Sequence, residues 1–427
     1  MSYHSMSYLN SGKIIVGNTD KTGNAWWYNQ SLENPANPTH YAGFIPLTVV
    51  KDRLFGWTAW ESNRLVAYFD QPERDDLGNI VLDLTGEPVM KTYEVPVTSF
   101  KAIGREDWVV NGVPSDEEDG ADAILHVQGK DYGVHQLQET FITTTSQIVQ
   151  GADNMGIVSA GLLKWGRRAW ITISIPDNLT NDESGLQFRP NLTVSTSFDS
   201  SLATSWTRTF GIPVCDNTLD YQLAKAGEKD GKFILRHTKN SAMKIKDAVE
   251  ALGMLNQQAD EMDKALAEMV KTEVPEGVFL KWLDRMVPVP DLKEKTIMIT
   301  SIQGEQVPVK KVSTNGHTMA INKREKLVEM WDFDPRVAPW KNTKLGILQL
   351  WNTFNQHERS FKVSKQFDGN RLAAKVESQQ LKTLSGDYLK EDVTALQAVD
   401  SLLAELVSVP VLTPAGKRTR AKAGSAS

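Results

Sequence analysis

Three cations flank a tryptophan in the run Lys164-Trp165-Gly166-Arg167-Arg168. Ammonium and guanidinium groups attract phosphates, and an indole face offers a stacking surface worth about 1–3 kcal/mol per base. The central glycine lets the chain reverse tightly, so the cluster reads as a hairpin tip that carries positive charge. Trp206 and Arg208 follow on a later strand-like stretch. Arg236, His237, Lys239 and Lys244 bracket an expected helix start, where free backbone N–H groups favour an anion. Together these ten residues predict a groove for single-stranded nucleic acid. An ordinary exposed hairpin and a solvated helix end account for them at least as well. Residues 151–250 hold twelve Lys and Arg against eleven Asp and Glu, so the region is nearly neutral.

Little else has the spacing of a reaction centre. No GxxxxGK[ST], strand-anchored GxGxxG, G-x-S-x-G or H-E-x-x-H occurs. His357-Glu358-Arg359 are consecutive on an expected helix, where neighbours point in different directions, so they read as a surface ion pair. His126 and His135 stand nine residues apart around two glycines and could face one site, but no cysteine or carboxylate pair joins them. Cys215, the single cysteine, excludes an internal disulfide and reads as a small buried residue, with no nearby histidine to act as base. No enzyme activity, cofactor or metal is expected.

The elements that must position these residues follow from periodicity. Residues 1–115 read as short strands and loops, with 45–50 (IPLTVV) and the stretch from Arg64 to Phe69 strand-like. The acidic run 116–119 predicts a seam. Residues 116–240 read as an α+β domain. Ala169, Ile171 and Ile173 alternate with Trp170, Thr172 and Ser174, the period of a half-buried strand. Leu192, Val194, Thr196 and Phe198 share a face of a third strand, and a fourth runs near Thr204 to Phe210. Cys215, Leu219 and Leu223 recur every four residues and predict a helix. The sum is a central antiparallel sheet with helices packed on one face.

A helical C-terminal part is expected over 241–410. Ile245, Val249, Leu252, Leu255, Met262 and Leu266 predict a long amphipathic helix, capped by Asn240 or Ser241 and ended by Pro275. Residues 286–320 read as irregular with short strands at 296–311, and helices are expected near 341–361 and 392–407. The tail 411–427 has four basic residues and no acid, and is expected to be disordered.

At roughly 100–200 residues per domain, 427 residues allow two to four units. A net charge of −6 excludes coating of duplex DNA by bulk charge, so any nucleic-acid contact must be local. The first residues lack the apolar stretch of a signal peptide, and no run is long and apolar enough to span a membrane. A reducing, cytoplasmic setting is the expectation. The twelve tryptophans read as core anchors, stacking platforms, or both.

Several segments together resemble a phage/plasmid-like family whose shared element is a domain of unknown function (DUF932). They are ILHVQGKDYGVHQLQETF, LLKWGRRAWITISIP, STSFDSSLATS, FGIPVCDNTLD, FILRHTKNSAMKIKDA and TFNQHERSF, within about residues 20–400. Phe198-Asp199 stands where the family has His-Asp. The resemblance implies an origin in phages, prophages or plasmids and brings no settled activity. The strand and helix order is also similar to the core of single-strand annealing proteins of the Rad, Erf and Sak type. The expected function is a nucleic-acid-binding protein of phage or plasmid recombination, binding single-stranded DNA as a homo-oligomer. The alternative is a protein-interaction module that targets a host or phage factor and makes no nucleic-acid contact.

Overall fold

The structure, a computed structural model, describes residues 13–25, 27–62, 64–110, 113–114, 124–150, 154–212, 217–220, 232–235, 248–300, 306–359 and 371–407. The chain divides into two compact units, Met1–Met269 with Asn352–Asp392, and Val270–Trp351 with Val393–Ser427. The strands in chain order begin with β1 (Ile14–Val16), β2 (Ala59–Glu61), β3 (Leu65–Pro72), β4 (Met90–Val97) and β5 (Phe100–Arg105). Next come the short pair β6 (Val109–Val110) and β7 (Val113–Pro114), then β8 (Ile124–Gly129), β9 (Gly156–Leu163), β10 (Arg168–Ser174) and β11 (Leu179–Thr180). The first unit closes its strands with β12 (Gln187–Ser197), β13 (Thr204–Ile212), β14 (Asn217–Asp220) and β15 (Lys232–Leu235).

The first unit is built on an antiparallel sheet in the order β1-β9-β10-β12-β13, with β14 and β15 pairing successive parts of the β13 edge. Strand alternation sorts its side chains. Ala169, Ile171, Ile173, Leu192 and Val194 face one apolar core and are fully buried. Leu54 and Phe55, Phe141 and Ile148, and Leu255 bring three helical segments onto that face. The fold is thus α+β, an antiparallel sheet with helices packed on it and a helical C-terminal region. Trp170 points to the other face, where Val376 and Leu384 of the Arg371–Ser385 helix pack against it. Gly161 is opposite Trp170 in the ladder, and a Cβ there would lie 2.2 Å from the indole, so only glycine admits the ring.

The N-terminal residues join this unit. β1 pairs with β9, and Ile45 bridges to Ile157. Residues 45–50 are not a strand. Pro46 caps a helical turn, Leu47–Val50, that runs into a wide π-type turn, Lys51–Phe55. Val50, Leu54 and Phe55 are buried by that helical spacing, which a short apolar run does not distinguish from a strand. Residues 217–220 likewise form β14, not a helix, because the β13 edge offers them a ladder.

In the second unit, β16 (Lys293–Thr300) and β17 (Gln306–Ser313) form a regular hairpin, longer than the short strands expected at 296–311, and a helix starts directly after it at Asn315. Phe279 stacks on Trp331 at 4.4 Å, and Trp282 meets Trp351 edge-on at 5.6 Å. Trp282 Nε1 donates to the Ala395 carbonyl at 2.9 Å. The long helix is Ala248–Lys271 among the described residues, and Pro275 begins the next helix, Glu276–Met286, instead of ending the first. The expected caps Asn240 and Ser241 lie outside the described residues. No helix among the described residues is long and apolar enough to cross a membrane.

Candidate nucleic-acid interface

The β9–β10 hairpin turns through Lys164–Gly166. Its geometry depends on two left-handed residues, Lys164 at φ 47° and Gly166 at φ 99°. Glycine takes that conformation freely, whereas lysine does so at a cost of about 1–2 kcal/mol. The turn is anchored on three sides. The Phe198 N–H donates to the Arg167 carbonyl at 2.7 Å, and the Arg167 N–H donates back to Lys164 at 3.2 Å. The Lys164 N–H reaches the Glu377 carboxylate at 3.5 Å. Trp57 and Arg105 pack against Gly166, where a Cβ would lie 3.1 Å from each.

Four cations gather here, and they differ in what holds them. Arg168 is 7% exposed and pairs with Asp199 at 3.0 Å, while its Nε donates to Ser201 at 2.6 Å. Burial pushes the Asp199 carboxyl up, but the Ser201 hydroxyl and the Arg168 guanidinium outweigh it and hold it below the usual range. Arg105 lies over the Trp57 ring at 4.4 Å and pairs with Asp107 at 2.6 Å. Lys164 and Arg167 are half-buried at the turn, and their side chains have no hydrogen bond or ion pair among the described residues. These two are the charges available to a phosphate.

The remaining expected residues separate. Trp206 is 1% exposed and belongs to the apolar core beside Val194, so its indole is a core anchor and not a stacking surface. Arg208, two residues on along the same strand face, is 5% exposed and is likewise withdrawn from solvent. Of Trp165 only the backbone is described. Arg236, His237, Lys239 and Lys244 lie outside the described residues, as does Cys215. Arg105 and Trp57 were not expected at the site. They come from sequence positions some sixty and a hundred residues away, and no local pattern links them to the turn.

The neighbouring turn, Phe198 to Leu202, is tied to β8 and the loop after it. Gln128 donates to the Phe198 carbonyl at 3.1 Å, Ser200 donates to Gln128 at 2.9 Å, and Tyr132 donates to the Ser197 carbonyl at 2.8 Å. His135 Nδ1 bonds the Thr204 hydroxyl at 2.7 Å, while His126 is exposed beside Gln128. The two histidines therefore serve separate contacts around one turn. On the sheet face beneath the Arg371–Ser385 helix, Ser159, Thr172, Thr193, Thr207 and Thr383 line a cavity of about 150 Å³. Its hydroxyls donate and accept hydrogen bonds without charge.

The family described as Domain of unknown function (DUF932) matches residues 124–377, more than half of the chain. The chain belongs to this family. The match takes in the hairpin tip, the Phe198–Leu202 turn and Glu377, the parts that build the basic cluster, whereas Trp57 and Arg105 precede it. No curated protein and no solved structure matches the chain. As a DUF932 protein it takes no activity from its family, and the geometry of its own residues must supply one.

Proposed function

We infer that this DUF932 protein binds single-stranded nucleic acid at the Lys164–Arg168 turn and serves phage or plasmid DNA recombination. One observation carries the reading. Lys164 and Arg167, two cations with no partner among the described residues, stand on a turn fixed to the core by Phe198 and packed against Trp57. Lys164 keeps a conformation that glycine would adopt more easily. Strain retained at a half-buried charge with no side-chain partner is the pattern of a functional position. With Trp206 in the core, the interaction rests on two charges, so affinity is modest and falls gradually as salt rises. Phage or plasmid origin and the likeness to single-strand annealing proteins support the setting only through the sequence resemblance.

Fluorescence anisotropy with labelled single-stranded and duplex DNA tests this. Two neutralised phosphates on a single strand give a slope of log affinity against log salt of about −1.4. Absence of binding at low salt, or undiminished binding by Lys164→Glu/Arg167→Glu, overturns the reading. A protein-interaction module is favoured by a different feature. It is not the long helix, whose Leu255, Met262 and Leu266 are buried. It is the β3–β4 ribbon, whose turns hold Leu77 and Leu84 at 87% and 108% exposure.

A further inference from the structure

On the sheet face that holds Trp170, the ladder also sets Ser159, Thr172, Thr193 and Thr207 side by side, one hydroxyl from each of β9, β10, β12 and β13. Neighbouring strands lie about 4.8 Å apart, so the row spans roughly 14 Å. Serine and threonine are mostly surface residues, yet Thr172 and Thr193 are 8% and 7% exposed. The row forms the floor of the cavity beneath the Arg371–Ser385 helix, and Gln380, Thr383 and Leu384 of that helix form its roof.

The cavity differs from an ordinary packing gap. Thr172 and Ile173 pair with Ser159 and Ile157, which leaves Val158 as the extra residue of a bulge in β9. Strict alternation would send Val158 and Ser159 to opposite faces, but both line the cavity. Bulges re-aim side chains in this way and gather next to functional sites. The hydroxyls of the row are also unequally satisfied. Thr172 and Thr193 bond to each other at 3.0 Å, and Ser159 accepts from Trp170 Nε1 at 3.1 Å. Thr207 Oγ1 is buried and makes no hydrogen bond. A buried hydroxyl in that state is unfavourable until a ligand supplies the partner.

These features set the chemistry of the ligand. No charged side chain lines the cavity among the described residues, so an ion would shed its hydration without compensation, and the ligand is neutral. The hydroxyls and the Asn191 and Gln380 amides both donate and accept, which matches an edge that carries C=O and N–H groups together. Val158 and Leu384 add apolar surface for a flat face. A space of about 150 Å³ is the size that holds one benzene ring. We propose that the cavity binds a single pyrimidine base, with its polar edge on the hydroxyl row and Thr207 Oγ1 as one of its partners. The site is independent of strand binding at the 164–168 turn, because neither Lys164 nor Arg167 lines it.

Ligand-observed NMR with free uracil and cytosine on the full chain tests this. The expected Kd is on the order of 1 mM, within reach of a fragment this small. Orotate, the same ring bearing a carboxylate, and myo-inositol, a neutral ring without a flat face, should each bind about tenfold more weakly or worse. Thr207→Val keeps the side-chain shape and removes the hydroxyl. It should weaken uracil about five- to tenfold, while the melting temperature holds or rises because the lost group had no partner. Thr383→Leu, at a half-buried helix position, fills the space and should abolish binding with the circular dichroism spectrum unchanged. Lys164→Glu/Arg167→Glu should leave uracil binding as it is, so failure of the strand site and failure of this one are told apart. Displacement of uracil by oligothymidylate makes the bound base part of a strand, and its persistence makes it a free base; either sustains the site. No binding of uracil or cytosine at about 10 mM overturns the proposal. So does binding that Thr383→Leu leaves intact, or myo-inositol that binds as tightly as uracil.

Discussion

Four positive side chains meet around the 164–168 turn, and the partner of each decides what it can do. Arg168 is committed to Asp199, both side chains being 9% exposed. Asp199→Ala leaves a buried guanidinium without its counter-ion, and breaking such a pair costs about 3–5 kcal/mol, readable as a lower urea midpoint. The depressed carboxyl adds a pH effect. Its stability contribution is present at neutral pH and is lost as pH falls through the folded-state value, below the ordinary carboxylate range. Lys164→Gly should separate stability from function. It relieves the left-handed strain, for a net gain of about 0.5–1 kcal/mol after glycine's entropy cost, while weakening single-strand binding. Thermal melts and anisotropy on one preparation check both signs. A gain in both, or a loss in both, contradicts the assignment. Elsewhere, burial pushes His40 down to about 4, partly opposed by Glu33, and its Nε2 accepts from the Ala25 N–H at 3.3 Å. The unfolded histidine takes its proton near 6.5, so the folded state loses stability as pH drops from there towards 4. His40→Gln should flatten the denaturation midpoint over that window.

At the level of elements, strands with one buried face were legible and short apolar runs were not. Ala169, Ile171 and Ile173 showed the β10 strand because only one face of that stretch is aliphatic. Residues 45–50 are apolar without a clear period, and it took the buried positions of Leu54 and Phe55 to make them helical. Close packing gives the β9–β10 hairpin its rigidity. Gly161→Ala would drive a methyl into the Trp170 ring, and overpacking of this kind costs about 1–3 kcal/mol or more. A chemical denaturation curve with a lowered midpoint and unchanged slope is the expected outcome. The tryptophans sort in the same way. Trp170, Trp206, Trp282, Trp331 and Trp351 are all buried, so most of the described indoles stabilise the two units and are not stacking platforms.

For the whole molecule, a net charge of −6 conceals an uneven distribution. The ribbon between β3 and β4 is acidic and apolar, whereas the β9–β10 turn offers free cations. Salt should therefore weaken nucleic-acid binding at the turn, and anisotropy over a salt series checks this. The first 105 residues bear on both surfaces, since they supply the ribbon and also bring Trp57 and Arg105 to the turn.

The sequence alone determined the α+β class, the hairpin with its turn at Gly166, and the cluster of cations on it, because period and turn chemistry are local properties. It also contained the segments that place the chain in the DUF932 family. Only the tertiary structure decided which cations are free. Asp199 is thirty-one residues from Arg168 along the chain, and pairing at that distance depends on how β10 and β12 align. The same holds for Trp206, whose strand was legible but whose burial depends on which sheet face the helices cover. The exposed ribbon went unseen for the converse reason. Its apolar residues read as those of any strand, and only the absence of a packed layer over them among the described residues sets it apart.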